Sequence, residues 1–388
     1  MVLGVSMNVL ALGLVSLFTD ISTEMIVAIL PMFLVSELGA SAAILGTIEG
    51  VSDSTSSLLK VVSGWLSDRT GKRKPLTTLG YGLSTSVKPL IAISNSWPQV
   101  LGLRFFDRVG KGIRTAPRDA LIADSTSSSR TGRTFGLHRA LDTVGAVVGP
   151  ALAFVLLPVY LYRGVFAWSL VPGLISVAIL LFFVQEKSKA PVKELRLDVG
   201  MKTFPSKFKK LLLAVLVFGL GNFSNAFFIL NTNILLTPKF GSIAASQITI
   251  LLYALMNIIY AASSLPIGVL SDRIGKRVLL GVGYFAFGLA CFGFMFVTTD
   301  IFMIAGLFVL AGFFSASVDT LERAYTADLV QADLRGTGYG TLHTVNGIAD
   351  LPASIIAGLL WSAISPNVTF MYGGIMAILA VVALAATR

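Results

Sequence analysis

Gly64-Trp65-Leu66-Ser67-Asp68-Arg69-Thr70-Gly71-Lys72-Arg73 returns later in the chain as Gly268-Val269-Leu270-Ser271-Asp272-Arg273-Ile274-Gly275-Lys276-Arg277, with eight of the ten positions identical. The offset, 268 − 64 = 204 residues, also carries Ala123-Asp124 onto Ala327-Asp328 and Gly136 onto Gly340. One half of the chain is therefore a diverged copy of the other. Each copy joins two long apolar segments by a short charged turn. Glycine permits a left-handed backbone and close helix approach there, and the basic residues suit an anionic membrane face.

Of the 388 residues, 55% are hydrophobic and 13% charged, roughly half the charge of a soluble globular domain. Apolar stretches of about 20 residues cross a bilayer as helices, and twelve such stretches are expected along the chain. The net charge of +10 does not mark a nucleic-acid partner, because Lys and Arg gather in alternate loops: Arg69, Lys72, Arg73 and Lys74, then Arg130 and Arg133, then residues 185–210, then Arg273, Lys276 and Arg277, then Arg335. That alternation is the positive-inside pattern and places both termini in the cytoplasm of a cell-membrane protein. The expected organisation is an all-α membrane protein: a six-helix bundle at 1–184, a cytoplasmic linker at 185–210 broken by Pro191 and Pro205, and a second six-helix bundle at 211–388.

Charge inside the apolar segments is costly and so informative. Asp20 and Glu24 lie four apart on one face of the first helix, facing either a cavity or water near a helix end. In the second helix Glu49, Asp53, Ser56 and Lys60 fall within roughly 60° of arc at about 100° per residue. Lys88 in the third reads as a structural partner. The fourth is the most charged: Arg104, Asp107, Arg108, Lys111, Arg114, Arg118 and Asp119 share about 140° of its circumference. The fifth carries His138 and Asp142, again four apart, followed by Gly145-x-x-x-Gly149-Pro150. His138 is a helix-end residue or a cavity residue on this pattern alone.

At the repeated turns the chain resembles the major facilitator superfamily of secondary transporters, whose G-x-L-x-D-R-x-G-R/K-R/K loop lies between helices 2 and 3 and again between helices 8 and 9. The resemblance covers essentially the whole chain and implies two pseudo-symmetric six-helix bundles working by alternating access. Arg108-Val109-Gly110-Lys111-Gly112 resembles the R-x-x-Q-G element of the family's exporters, with lysine in place of glutamine, and implies a role for Arg108 in proton coupling. Gly145-x-x-x-Gly149-Pro150 is similar to the first half of the antiporter motif, with Ala153 and Phe154 where its closing glycines stand. The resemblance also implies gate roles for Gly64, Asp68, Arg69, Gly71, Arg73, Gly145, Gly149, Pro150, Asp272, Arg273 and Asp328, and for Asp124, which resembles the family's acid that pairs with the basic loop between helices 2 and 3.

The second half does not repeat these charges. Under the 204-residue shift Asp20 becomes Ser224, Arg104 becomes Phe308, Arg108 becomes Gly312, Asp53 becomes Asn257 and Asp142 becomes Asn346. Its polar residues, Asn222, Asn225 and Asn233 on one face of helix 7 with Tyr253 and Asn257 of helix 8, read as a neutral wall for substrate or as interhelical hydrogen bonds. Arg118-Asp119 maps onto Glu322-Arg323, read as gate electrostatics.

No G-x-x-x-x-G-K-[ST] loop, metal-ligand spacing or nucleophile-and-base motif is present, and the two histidines and single Cys291 stand apart. No cofactor, metal or enzymatic activity is expected. The first expectation is a proton-coupled exporter of a small organic molecule, acting as a monomer, with Asp20, Glu24, Asp53, Arg108 and Asp142 in coupling. Arg104, Lys111, Arg114, Glu49, His138 and the helix 7 and 8 polar residues would meet substrate. The alternatives are an importer or exchanger of an anionic metabolite held by the basic face of helix 4, and a non-transporting receptor on the same scaffold.

Overall fold

The computed structural model describes residues 6–125, 131–186, 204–331 and 335–386, with side chains described at all of these except 131–133 and 335–336. Residues 187–203, most of the expected linker, lie outside that set, as do Arg130 and the side chains of Arg133 and Arg335. Among the described residues every element is helical. The order is α1 (Met7–Val27), α2 (Leu30–Met32), a π-helical turn at Phe33–Glu37, α3 (Ala42–Thr70), α4 (Lys74–Val87), a 3-10 turn at Lys88–Ile93, α5 (Trp97–Asp124), α6 (Thr131–Trp168) and α7 (Leu170–Phe183). It continues with α8 (Ser206–Gly221), α9 (Ala226–Phe240), α10 (Ser242–Ile274), α11 (Lys276–Phe296), α12 (Ile301–Leu329), α13 (Arg335–Ala363) and α14 (Pro366–Ala385).

Local chemistry sets the ends. Ser6 caps α1 by accepting the Val9 N–H at 3.3 Å, and Asp300 caps α12 by accepting that of Phe302 at 2.9 Å. Gly71 and Gly275, at φ +67 and +102, turn the chain within the repeated motifs. α6 contains a break at Leu161 (φ 55), where two helices meet.

Among the described residues, eight helical stretches are long and apolar enough to cross a membrane: Met7–Glu37, Thr134–Phe183, Ser206–Phe240, Ser242–Ile274, Lys276–Phe296, Ile301–Leu329, Thr337–Ala363 and Pro366–Ala385. The difference from twelve has physical causes. α3 is rich in Ser, Thr and Gly, α4 has only 14 residues, α5 is densely charged, and the 50-residue stretch Thr134–Phe183 runs through the Leu161 break. Phe182, Phe296 and Phe302 are exposed apolar side chains, as a hydrocarbon surrounding requires.

The helices group into two units, Met1–Phe33 with Thr55–Leu197, and Leu34–Ser54 with Asp198–Arg388. Residues 34–54, read from sequence as part of the first bundle, thus group with the second. Glycine explains this: a Cβ on Gly50 would sit 2.8 Å from the Leu351 carbonyl oxygen and one on Gly358 2.5 Å from that of Ala42, so the start of α3 lies directly on α13. In the first unit Leu12, Val15, Tyr81, Leu121, Ile122 and Leu180 form an apolar core. The second is built on aromatic rings: Phe218 stacks on Tyr284 at 3.9 Å, and Phe287 meets Phe314 edge-on at 4.8 Å.

Candidate transport site

The first unit gathers its charges inside. α6 lies on α1 through Gly145 and Gly149. A Cβ at Gly145 would come 2.6 Å from the Leu17 carbonyl oxygen and 2.9 Å from Asp20 Cβ, and one at Gly149 2.7 Å from Glu24 Cβ. Only glycine admits this approach, and it places Asp142 of α6 against Asp20 of α1. The two carboxyls lie within side-chain hydrogen-bonding reach of each other, and a bond between two carboxyls holds one proton. Ser16 donates to Asp142 Oδ1 at 3.0 Å and accepts from Arg118 Nη1 at 3.0 Å; Arg118 holds Asp119 at 2.9 Å. Arg139 closes on Asp142 from outside at 3.2 Å, and Lys111 and Glu24 act electrostatically on Asp20. His138 is buried here, and its Nε2 has no hydrogen-bond partner among the described residues. A continuous polar chain therefore joins α5, α1 and α6.

A second cluster centres on Asp107. Its Oδ2 lies 3.5 Å from Arg104 Nη1 and 3.8 Å from Arg108 Nε, and Ser84 donates to its other oxygen. Lys88, also buried, donates to Thr23 Oγ1 at 3.1 Å and acts electrostatically on Asp107. Arg114 lies over the Tyr81 ring at 4.4 Å. α4 and α5 cross closely at Gly80, where a Cβ would stand 2.7 Å from that of Arg114. Arg104, Asp107, Arg108 and Arg114 are buried while Phe105 and Phe106 of the same helix are exposed, so the charged face of α5 turns inward.

At the repeated turn, Arg73 bridges Asp124 and Asp68, the latter at 3.0 Å, and the Arg73 and Lys74 backbone N–H groups donate to Glu186. Arg69 covers the Trp65 ring at 5.0 Å, and Gly64 faces Ala116. In the second copy Lys276, one position earlier in the motif, takes the role of Arg73: it binds Asp328 at 2.7 Å and Asp272 at 4.0 Å. Arg273 is exposed. Pro150 is buried in α6, beside the glycines that set the α1 crossing.

The second unit places the remaining candidates separately. Glu49 is buried and accepts from Ser224 Oγ at 3.2 Å; Asp53, a turn later, is half-buried. Asn222 and Asn225 do not share a face of one helix as the periodicity argument requires, because the seventh apolar stretch is broken between Gly221 and Ala226. The freed groups are satisfied locally: Tyr372 Oη donates to the Leu220 carbonyl at 2.5 Å, and Ser224 N–H donates to Ser354 Oγ at 3.2 Å. Asn233 donates to Ser246 at 3.0 Å, the interhelical reading of that residue. Tyr253 is buried and Asn257 half-buried, on the stretch of α10 that meets α12 at Gly312.

Sequence reasoning read Glu322 only as part of a gate pair with Arg323 and missed its partners on two other helices. It is buried on α12, accepting from Tyr284 Oη of α11 and Asn346 Nδ2 of α13, both at 3.0 Å. Its visible signal was the exchange of Arg118 for an acid between the two copies.

Long apolar helices, a charged interior and two copies of a basic turn are the marks of a polytopic membrane carrier rather than an enzyme. The chain belongs to the Major Facilitator Superfamily, whose profile matches residues 12–242 and 211–388. It is similar to Uncharacterized MFS-type transporter MJ1317 of Methanocaldococcus jannaschii, with 40% identity over 376 residues, 96% of this chain and 93% of that one. Uncharacterized protein Rv2265 of Mycobacterium tuberculosis is 27% identical over 362 residues, 90% and 85% of the two chains. In fold it resembles the nucleoside transporter NupG (TM-score 0.81, 12% identity, 98% and 99% covered) and the human organic anion transporter MFSD10 (TM-score 0.66, 16% identity, 97% and 99% covered). The protein is therefore a multi-pass membrane transporter of this superfamily.

Proposed function

We propose that the protein is a proton-coupled secondary transporter that exports a small organic molecule by alternating access. In this reading it has twelve spans in two six-helix bundles, acts as a monomer in the cell membrane, and keeps both termini in the cytoplasm. The observation that carries the coupling is the facing of Asp20 and Asp142 across the Gly145 crossing, with Asp142 tied through Ser16 to Arg118. A carboxyl pair holding one proton, with a guanidinium one hydroxyl away, takes up or releases charge as its neighbours rearrange, so protonation favours one carrier state over the other. Glu24, Asp53 and Arg108 are secondary members of the coupling set. Arg104, Lys111, Arg114, Glu49, His138, Asn222, Asn225, Tyr253 and Asn257 are candidates for substrate contact. The loops carrying Asp68, Arg73, Asp124, Asp272, Lys276 and Asp328 act as gates.

A ligand found by thermal-shift screening at two pH values, then carried into proteoliposomes under an imposed pH gradient, tests this. Flux of the wild type follows the gradient, and Asp20→Asn and Asp142→Asn lose that response. Flux indifferent to the gradient, with both variants active, overturns the reading.

One observation favours a second reading, transport of an anionic metabolite. Lys88, Arg104, Arg108 and Arg114 cluster around the carboxylate of Asp107, an electropositive interior suited to a carboxylate or phosphate. In that case the same screen returns anions, and flux persists without a pH gradient.

A further inference from the structure

The first unit answers the buried Asp107 with Arg104 and Arg108, and the half-buried Asp142 with Arg139. Glu322 has no such answer. It forms no ion pair among the described residues, although it lies within the apolar stretch Ile301–Leu329 and is only 4% exposed. Its two oxygens meet neutral donors only, one from α11 and one from α13. Tyr284 is fixed by its stack on Phe218 of α8. The other charges acting on Glu322 come from its own helix. Asp319, one turn earlier, is itself hydrogen-bonded by Tyr260 of α10 at 2.7 Å, and Arg323, next in sequence, is exposed. His343, one turn before Asn346, is the nearest further titratable residue in the sequence of α13.

An ionised carboxylate inside a membrane protein without a contacting cation is expensive to keep and is commonly neutralised instead. We propose that Glu322 is a second proton-binding carboxyl of the carrier, seated in the unit that lacks the Asp20 and Asp142 pair. Its surroundings suit both protonation states. Ionised, it accepts from Tyr284 and Asn346. Protonated, its O–H donates to the Asn346 amide oxygen after a flip of that amide, while Tyr284 still donates to the other oxygen. A guanidinium partner would hold only the ionised form. The repeat sharpens the point, since position 118 of the first copy carries the arginine that Glu322 replaces. As a coupling site Glu322 rests on the proton-coupled reading above; as a proton-binding group it does not.

The test needs no substrate. In liposome-reconstituted protein, infrared difference spectra across a pH titration report the C=O stretch of protonated carboxyls. Glu322→Gln should remove one resolved component, Tyr284→Phe should shift that component through loss of a hydrogen bond, and Asp142→Asn should alter a different one. A Glu322→Gln protein that elutes as a single species yet gives the wild-type spectrum overturns the proposal. Flux indifferent to the pH gradient, with the Glu322 component present in the spectra, overturns the transport reading and leaves this one standing, so the two failures are distinguishable.

Discussion

The two repeats solve one packing problem with opposite chemistry. In the first copy α6 supplies the glycines, Gly145 and Gly149, and α1 keeps its acids. In the second, the corresponding positions of α13 are Ala349 and Ala353, and the glycine moves to α8, where a Cβ on Gly219 would lie 2.6 Å from that of Ala349. Position 118 becomes Glu322, Asp142 becomes Asn346, and Asp20 becomes Ser224 in a broken helix. The difference teaches that the duplicated scaffold tolerates exchange of both bulk and charge so long as each crossing keeps one small residue.

The comparison breaks first at its charged centre. Asp107→Asn leaves Arg104, Arg108 and Lys88 buried beside a neutral amide, and loss of about 3–5 kcal/mol is expected, read as a collapse of the folded fraction in detergent melting curves. Glu322→Gln, which keeps neutral hydrogen bonding, should cost no more than about 1 kcal/mol by the same assay. Equal losses would mean the two carboxylates are held alike. The crossings sharpen the contrast next. Gly149→Ala meets the Ile21 carbonyl oxygen and Glu24 Cβ and should destabilise by about 1–3 kcal/mol, whereas Gly219→Ala meets a methyl group and should lose less. The smallest effect belongs to the turns. Arg73→Ala removes contacts to two acids and Lys276→Ala more exposed ones, so the former should lower the melting temperature more, both within about 1 kcal/mol and both shrinking as salt is added.

Some of this was legible before any coordinates. The repeated motif marked the turns, helical periodicity turned the charged face of α5 inward, and Asp124 was expected to meet the basic loop it meets. The glycine pair in the fifth helix was visible as a small-residue surface, though its partner, the Asp20 and Glu24 turn of α1, was not. Other features depend on contacts that spacing does not encode. Asp20 and Asp142 are 122 positions apart in the chain and meet only because of that crossing. Glu322 joins residues of three helices, so the pair Glu322-Arg323 looked like a surface gate when read along one. The break at Asn222–Asn225 escaped the periodicity argument because asparagine interrupts a helix only weakly by propensity, and the side chains that replace its backbone bonds, Tyr372 and Ser354, come from α14 and α13.

That break has an electrical consequence. Where α8 stops and α9 begins, the partial negative end of one helix dipole and the partial positive end of another are brought to the same level of a single span. Ser224, at the mouth of the positive end, holds the carboxylate of Glu49. An acid from the start of α3 thus serves as the counter-charge to a helix terminus that an unbroken span would never have exposed.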